Sequence, residues 1–203
     1  MRHVSLVSLR VEVSKLIAFF DSYVLLDDHE KEDLASRVTI KNFKRKEMFL
    51  REGDVCRFHG FVTKGCFKTY GVDQVGREHN LQFAAENDWI VDLASFYTEK
   101  PTKLFIEALE PSCVVLIEKG DLLELYRSYP KFVRYFKVIF ENKFVEMQNR
   151  VLQNISSTAE ERYLAFLEQY PNFSNRLPGV QIASYLGVTP EFLSKIRKDI
   201  SEK

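Results

Sequence analysis

Between Leu177 and Lys198 the chain reads Leu-Pro-Gly-Val-Gln-Ile-Ala-Ser-Tyr-Leu-Gly-Val-Thr-Pro-Glu-Phe-Leu-Ser-Lys-Ile-Arg-Lys, and the spacing of its polar residues suits contact with nucleic acid. Ile182, Ala183 and Leu186 recur at helical spacing, and Gly187 falls where the chain must turn and a positive φ is needed. Thr189 stands where a helix cap belongs, with Pro190 at the first helical position, where its missing N–H is no loss. The helix that follows buries Leu193 and Ile196 and leaves Glu191, Ser194, Lys195, Arg197 and Lys198 on or beside its outer face. In a major groove Glu191 suits a cytosine amino group and Lys195 suits guanine, while the later cations neutralise phosphates. Gln181 and Thr189 complete the candidate DNA-binding set. The competing reading is a small helical hairpin with a solvated charged face. From Arg176 onward five basic residues (Arg176, Lys195, Arg197, Lys198, Lys203) stand against three acidic ones (Glu191, Asp199, Glu202), a modest surplus that counts most if two copies act together.

Other chemistry is poorly supported. Cys56, Cys66 and Cys113 are odd in number and widely spaced, which argues against a zinc site or a disulfide framework and for a reducing cytoplasm. A metal-dependent enzyme of the cupin type needs His-x-His with a nearby Glu, and His59 and His79 stand twenty residues apart. No Gly-x-Ser-x-Gly elbow, phosphate-binding Walker loop or dinucleotide fingerprint is present. The acid pairs Asp27-Asp28 and Glu160-Glu161 sit at helix starts, where the macrodipole favours negative charge. No enzyme, metal or cofactor is therefore expected.

The elements that must carry the carboxy-terminal segment fit in a chain of 203 residues, enough for one large domain or two small ones. Lys and Arg total 29 and so do Asp and Glu, so electrostatic binding has to come from a local patch. The apolar stretch Val4–Leu9 is too short for a signal-peptide core, and nothing later approaches a membrane span. Helical spacing covers 13–25 and a second short helix follows Asp27 through Leu34. The period then changes to strand, with at least six short strands and their turns over about 36–118, an antiparallel barrel or sandwich. At Gly120 helix returns: a short one over 121–129, stopped near Pro130, then a long one to about Ile155. Along the long helix Val133, Phe136, Phe140, Phe144, Met147 and Val151 step by three and four, and Phe132, Tyr135, Ile139, Val145 and Leu152 widen the stripe. The first six are the candidate dimerisation residues, the alternative being a helix buried within one chain. Thr158 and Glu161 match a capping box and open a helix ending before Pro171.

The order of barrel, long helix and helix-turn-helix resembles the cyclic-AMP receptor protein/fumarate-nitrate regulator (Crp/Fnr) superfamily of bacterial transcription factors. The motifs that carry the resemblance are Arg51-Glu52-Gly53-Asp54, Glu78-His79-Asn80-Leu81-Gln82-Phe83, Phe105-Ile106-Glu107-Ala108-Leu109, Ala159-Glu160-Glu161-Arg162-Tyr163 and Ile182 through Glu191. The resemblance implies an α+β fold with amino-terminal helices and an antiparallel β-roll of the cyclic nucleotide-binding type over 1–129. It further implies a dimerisation helix over 130–155 and a helix-turn-helix domain over 156–203. Its implied partners are a second copy of the chain and double-stranded DNA with a palindromic operator, in the cytoplasm, with an unidentified small-molecule effector and RNA polymerase as further candidates. Implied effector-pocket positions are Gln82, Trp89, Asp92, Ser95, Lys103 and Glu107.

The departures from the family pattern are also informative. Members that bind cyclic nucleotides hold the phosphate with a short helix beginning Gly-Glu and an Arg-Ser or Arg-Thr pair about ten residues on. Here Val91 replaces the glycine, Asp92 is the nearest acid and Lys103 is the only nearby cation. A point charge cannot reproduce the bidentate guanidinium. Cyclic AMP is accordingly not expected to bind in the usual way. Of the family's other cofactor routes, iron-sulfur sensing needs clustered cysteines, mostly amino-terminal, and none precedes Cys56; for haem, His29, His59 and His79 are the candidate ligands, but each is more often a surface or hydrogen-bonded histidine. Pro190 stands where many relatives have arginine, and five residues after Lys198 leave little room for a β-hairpin wing. A different class of function is a small-molecule-sensing β-roll whose carboxy-terminal helices dock a protein.

Overall fold

A computed structural model describes residues 6–171 and 173–202, and the chain folds as two compact units. One holds the chain up to Thr69 together with Phe83–Ile139; the other holds Tyr70–Gln82 and everything from Phe140 onward. Arg2 and Val4, part of the segment weighed as a leader, and Lys203 lie outside the described residues.

The first unit opens with helix α1 (Leu6–Asp21), which starts and stops earlier than the period predicts. It ends because the Asp21 carboxylate accepts from the Leu26 amide, turning the chain into α2 (Asp28–Ser36). Asp27 caps α2 in a full capping box with Glu30. Eight strands follow between Val38 and Glu118: β1 (Val38–Phe43), β2 (Met48–Leu50), β3 (Phe58–Lys64), β4 (Phe67–Val72), β5 (Glu78–Ala84), β6 (Trp89–Ile90), β7 (Phe105–Ala108) and β8 (Ser112–Glu118), with the short helix α3 (Leu93–Thr98) between β6 and β7. They form two four-stranded sheets, ordered β1-β8-β3-β6 and β2-β7-β4-β5. β8 is central, antiparallel to β1 with Val38 opposite Ile117 and to β3 with Phe61 opposite Val115. Its first six residues are all buried, which is why Cys113 through Ile117 reads as a continuous apolar run and not as an alternation. At Gly65 the β3–β4 turn takes φ +98°, and a Cβ there would sit 2.6 Å from the Ser112 Cα. Only glycine fits such an approach.

Helix α4 (Lys119–Ser128) leads into the 27-residue helix α5 (Pro130–Ser156), which begins at a proline as helices tolerate. Its first three turns bury Phe132, Tyr135, Phe136 and Ile139 in the first unit, against Phe20 and Trp89. Phe136, one of the predicted dimerisation residues, is instead packed inside the first unit. It is 2% exposed, with its ring 5.0 Å from those of Trp89 and Tyr135, because the apolar stripe changes sides near residue 139.

His59 is enclosed in the same cluster, its ring 4.3 Å from Phe96 and 5.6 Å from Phe136. Burial lowers its pKa from 6.5 to about 3, so the folded protein keeps it neutral while the unfolded chain takes up a proton below about pH 6.5. The unfolded state then binds more protons, and stability falls as the pH drops from 6.5 toward 3. Between pH 7 and pH 5 this one group should remove about 2 kcal/mol. Urea unfolding at both pH values checks it: the drop should be about 2 kcal/mol smaller in His59→Leu, and equal drops in both proteins would refute it.

The second unit contains the distal part of the β4–β5 hairpin and the carboxy-terminal helices α6 (Ala159–Gln169), α7 (Phe173–Arg176), α8 (Gly179–Leu186) and α9 (Pro190–Ser201). The Thr158–Glu161 capping box forms as the sequence predicts, and the short α7 has no counterpart among the predicted elements. From Phe140 to Ser156 no side chain of α5 is buried. Phe144, Val145, Met147, Val151, Leu152 and Ile155 are each at least half exposed.

Candidate nucleic-acid interface

Helices α8 and α9 are joined by the turn the sequence predicts. Gly187 caps α8 at φ +69°, and the Val188 amide donates to the Ala183 carbonyl, the closure that a left-handed residue permits. The Thr189 hydroxyl accepts from the Phe192 amide at 3.2 Å, and Pro190 opens α9. Leu193 and Ile196 are buried, which orients the remaining side chains outward.

On that outward face stand Glu191, Ser194, Lys195 and Lys198, all exposed. Hydrogen bonds from its own amide and from the Thr189 side chain hold the Glu191 carboxyl below the usual range, so it is an ionised acceptor at neutral pH. The Ser194 hydroxyl donates back to the Pro190 carbonyl at 2.9 Å, and Lys198 lies 3.7 Å from Glu202. Thr189 is engaged as the cap.

Two more of the seven predicted residues are turned to other work. Arg197 donates from Nε to the Tyr163 hydroxyl at 3.1 Å and lies over that ring, half-buried, so it fastens α9 to α6 and does not stand on an open face. Gln181 accepts from the Asn80 amide group twice, through its backbone and its side-chain oxygen, both at 2.9 Å.

Asn80 belongs to a cluster that sequence reasoning did not assign. The Ser184 hydroxyl donates to the Glu78 carbonyl and accepts from the Asn80 amide. Arg150 donates from one terminal nitrogen to the Asn80 and Tyr185 carbonyls, each at 2.9 Å, and from the other to the Leu81 carbonyl, with its guanidinium 3.9 Å above the Tyr185 ring. One side chain of α5 thus fixes both the hairpin tip and the end of α8. The Glu78–Phe83 motif carried a signal for this, but the motif alone does not reveal its partners a hundred residues away.

Of the predicted effector positions, Asp92 and Ser95 are in direct contact at the start of α3, and the other four have separate surroundings. Trp89 is a core residue, 6% exposed, with Nε1 donating to the Tyr135 hydroxyl at 2.9 Å, because a buried indole needs an acceptor. The Asp92 carboxylate caps α3, accepting from the Ala94 and Ser95 amides, and also accepts from the Thr102 hydroxyl. Ser95 donates to the Lys100 carbonyl and accepts from the Cys56 amide. Glu107 lies 3.8 Å from the buried Lys68, Lys103 is exposed, and Gln82 belongs to the second unit. An open cleft of about 470 Å³ in the first unit is lined by Cys56, Arg57, Lys119 and Leu123 and by none of the six predicted positions. Lys119 is paired there with Glu99 at 2.8 Å.

The histidines weighed as haem ligands have other contacts. His79 lies 2.9 Å from an Asp73 oxygen, His29 lies 3.0 Å from the Tyr129 hydroxyl, and His59 is in the ring cluster. Among the described residues no three His, Cys, Asp or Glu side chains group as a metal site, and no helix is long and apolar enough to cross a membrane.

Residues 40–129 match the family model of the cyclic nucleotide-binding domain, and no curated protein matches the chain. Among solved structures, FixK2 from Bradyrhizobium japonicum aligns with a TM-score of 0.73 at 18% identity, over 81% of this chain and 85% of that one. The c-di-GMP-responsive global regulator CLP from Xanthomonas campestris aligns with a TM-score of 0.71 at 12% identity, over 87% and 92%. A protein from Eubacterium rectale described as a transcriptional regulator of the Crp/Fnr family gives 0.66 at 16% identity, over 87% and 84%. The chain shares the fold of these proteins, the Crp/Fnr type: a β-roll of the kind that the cyclic nucleotide-binding domain model describes, and a carboxy-terminal helix-turn-helix.

Proposed function

We propose that this protein is a homodimeric transcription regulator that binds a palindromic operator through α9. The observation that carries the reading is the open face of a rigidly capped helix bearing Glu191, Lys195 and Lys198. An ionised acceptor and a flexible cation one turn apart suit cytosine and guanine edges, and Lys198 suits a phosphate. The exposed apolar side chains of α5 beyond Phe140 supply a surface for a second copy. Similarity to the regulators above supports the same reading.

The β-roll is proposed not to bind cyclic AMP in the usual way. The Ala94 and Ser95 amides at the start of α3 already serve the Asp92 carboxylate, so an incoming phosphate would meet a negative charge where it needs donors. Any effector is of another kind.

Selection of bound fragments from random DNA at about physiological salt tests the function, since nonspecific binding is weak there. The expected result is an inverted repeat with half-sites about one helical turn apart. Lys195→Ala should then weaken selective binding by 10- to 100-fold, roughly the worth of one base contact, with little change in melting because the side chain is exposed. Unchanged operator affinity in that variant would remove α9 from the interface.

A further inference from the structure

Resting on the DNA-binding reading, we propose that Phe192 is a specificity residue that recognises thymine through its 5-methyl group. Phe192 is 48% exposed on a helix whose other large apolar side chains in its first two turns, Leu193 and Ile196, are buried. A single exposed apolar residue needs no explanation by itself; here the position matters. Phe192 is the third residue of α9, with its amide held by the Thr189 hydroxyl. Helical side chains lean toward the amino terminus, so the ring covers the first turn, the end of a recognition helix that meets base edges. At 3.6 residues per turn Glu191, Lys195 and Lys198 lie along the middle of the exposed face, and Phe192 lies on its flank, next to Lys195. The ring shares the reading surface with the two side chains suited to cytosine and guanine.

A phenyl ring has no donor or acceptor to offer a base edge. The apolar group that the major groove presents is the methyl of thymine, and phenylalanine is among the side chains able to pack on it. Glu191, Phe192 and Lys195 together would cover three different bases, so a site read by this helix should contain a thymine beside the cytosine or guanine positions.

Replacement of each thymine of the selected operator by deoxyuridine removes the methyl and leaves the base pair intact. Wild-type protein is expected to bind about fourfold more weakly per half-site at one position, the effect of burying one methyl group. Phe192→Ala should bind the natural operator with a similar loss, should melt like the wild type, and should no longer distinguish thymine from uracil there. Retained discrimination in Phe192→Ala would overturn the assignment. So would a wild-type protein that selects an inverted repeat yet is indifferent to every thymine methyl, an outcome that leaves the DNA-binding reading standing. Failure to select any sequence would overturn both.

Discussion

The wild type is expected to sediment at twice the chain mass, and a protein carrying Leu152→Glu and Ile155→Glu to sediment as a monomer and to lose at least about 10³-fold in affinity for an inverted repeat. Leu152 is 61% exposed and Ile155 80%, so neither change removes a contact within the chain. Their neighbours on the helix surface are Phe144, Val145, Met147 and Val151, and pairs at 144–145 and 151–152 recur after seven residues, the repeat of a two-helix seam. Each such side chain buried against a second copy contributes about 1.5 to 3 kcal/mol. Two acids per chain bring four carboxylates to a two-fold axis, where apolar contact is replaced by repulsion. The effect on DNA is large because two half-site contacts that acted as one binding event become independent. A wild type that is already monomeric, or a double variant that remains dimeric, would remove α5 from the assembly. Phe136→Glu would be a misleading substitute: it would place a charge among Trp89, Tyr126 and Tyr135 and unfold the first unit.

Features that were legible in the sequence are those fixed by neighbours along the chain. Gly187, Thr189 and Pro190 predict the turn and the start of α9 because caps and turns act over four residues. The Asp27 and Thr158 boxes are legible for the same reason. The strands of the β-roll were visible as a changed period and their pairing was not, since the register of β8 between β1 and β3 depends on residues about fifty to eighty apart. The site was legible in part. Periodicity places Glu191, Ser194, Lys195 and Lys198 outward, but it assigns Arg197 to the same side because it carries no information on Tyr163. The resemblance that implies Trp89 and Asp92 as effector positions is equally silent on their contacts: Trp89 donates to Tyr135, and Asp92 accepts from amides of α3 and from Thr102. Along α5 an unbroken stripe conceals a change of partner, core up to Ile139 and solvent beyond Phe140.

Arg150→Met is expected to lower the stability of the second unit by about 3 kcal/mol, to raise hydrogen exchange around Asn80 and Tyr185, and to weaken operator binding although Arg150 is not on the reading face. Its guanidinium serves the carbonyls of Asn80, Leu81 and Tyr185 while stacked on the Tyr185 ring. Fully buried, three bonds from a charged donor and a cation–π contact would contribute about 5 kcal/mol or more together, and partial exposure screens them down to about 3. Methionine keeps the apolar stem and removes the fork, so what is lost is hydrogen bonding and charge. Arg150→Lys should recover only part of the loss, because one ammonium cannot reach three carbonyls in the plane that the guanidinium fits. A Met variant that melts and exchanges like the wild type would show that the hairpin tip and α8 hold together without it. The position of Arg150 on α5 gives this contact a second consequence. It lies within one turn of Val151 and Leu152, so the backbone that presents the apolar seam also presents the fork that grips α8. The α5 double variant should therefore show faster exchange at the hairpin tip as well, and an unchanged tip in a monomeric variant would separate dimerisation from the placement of the helix-turn-helix.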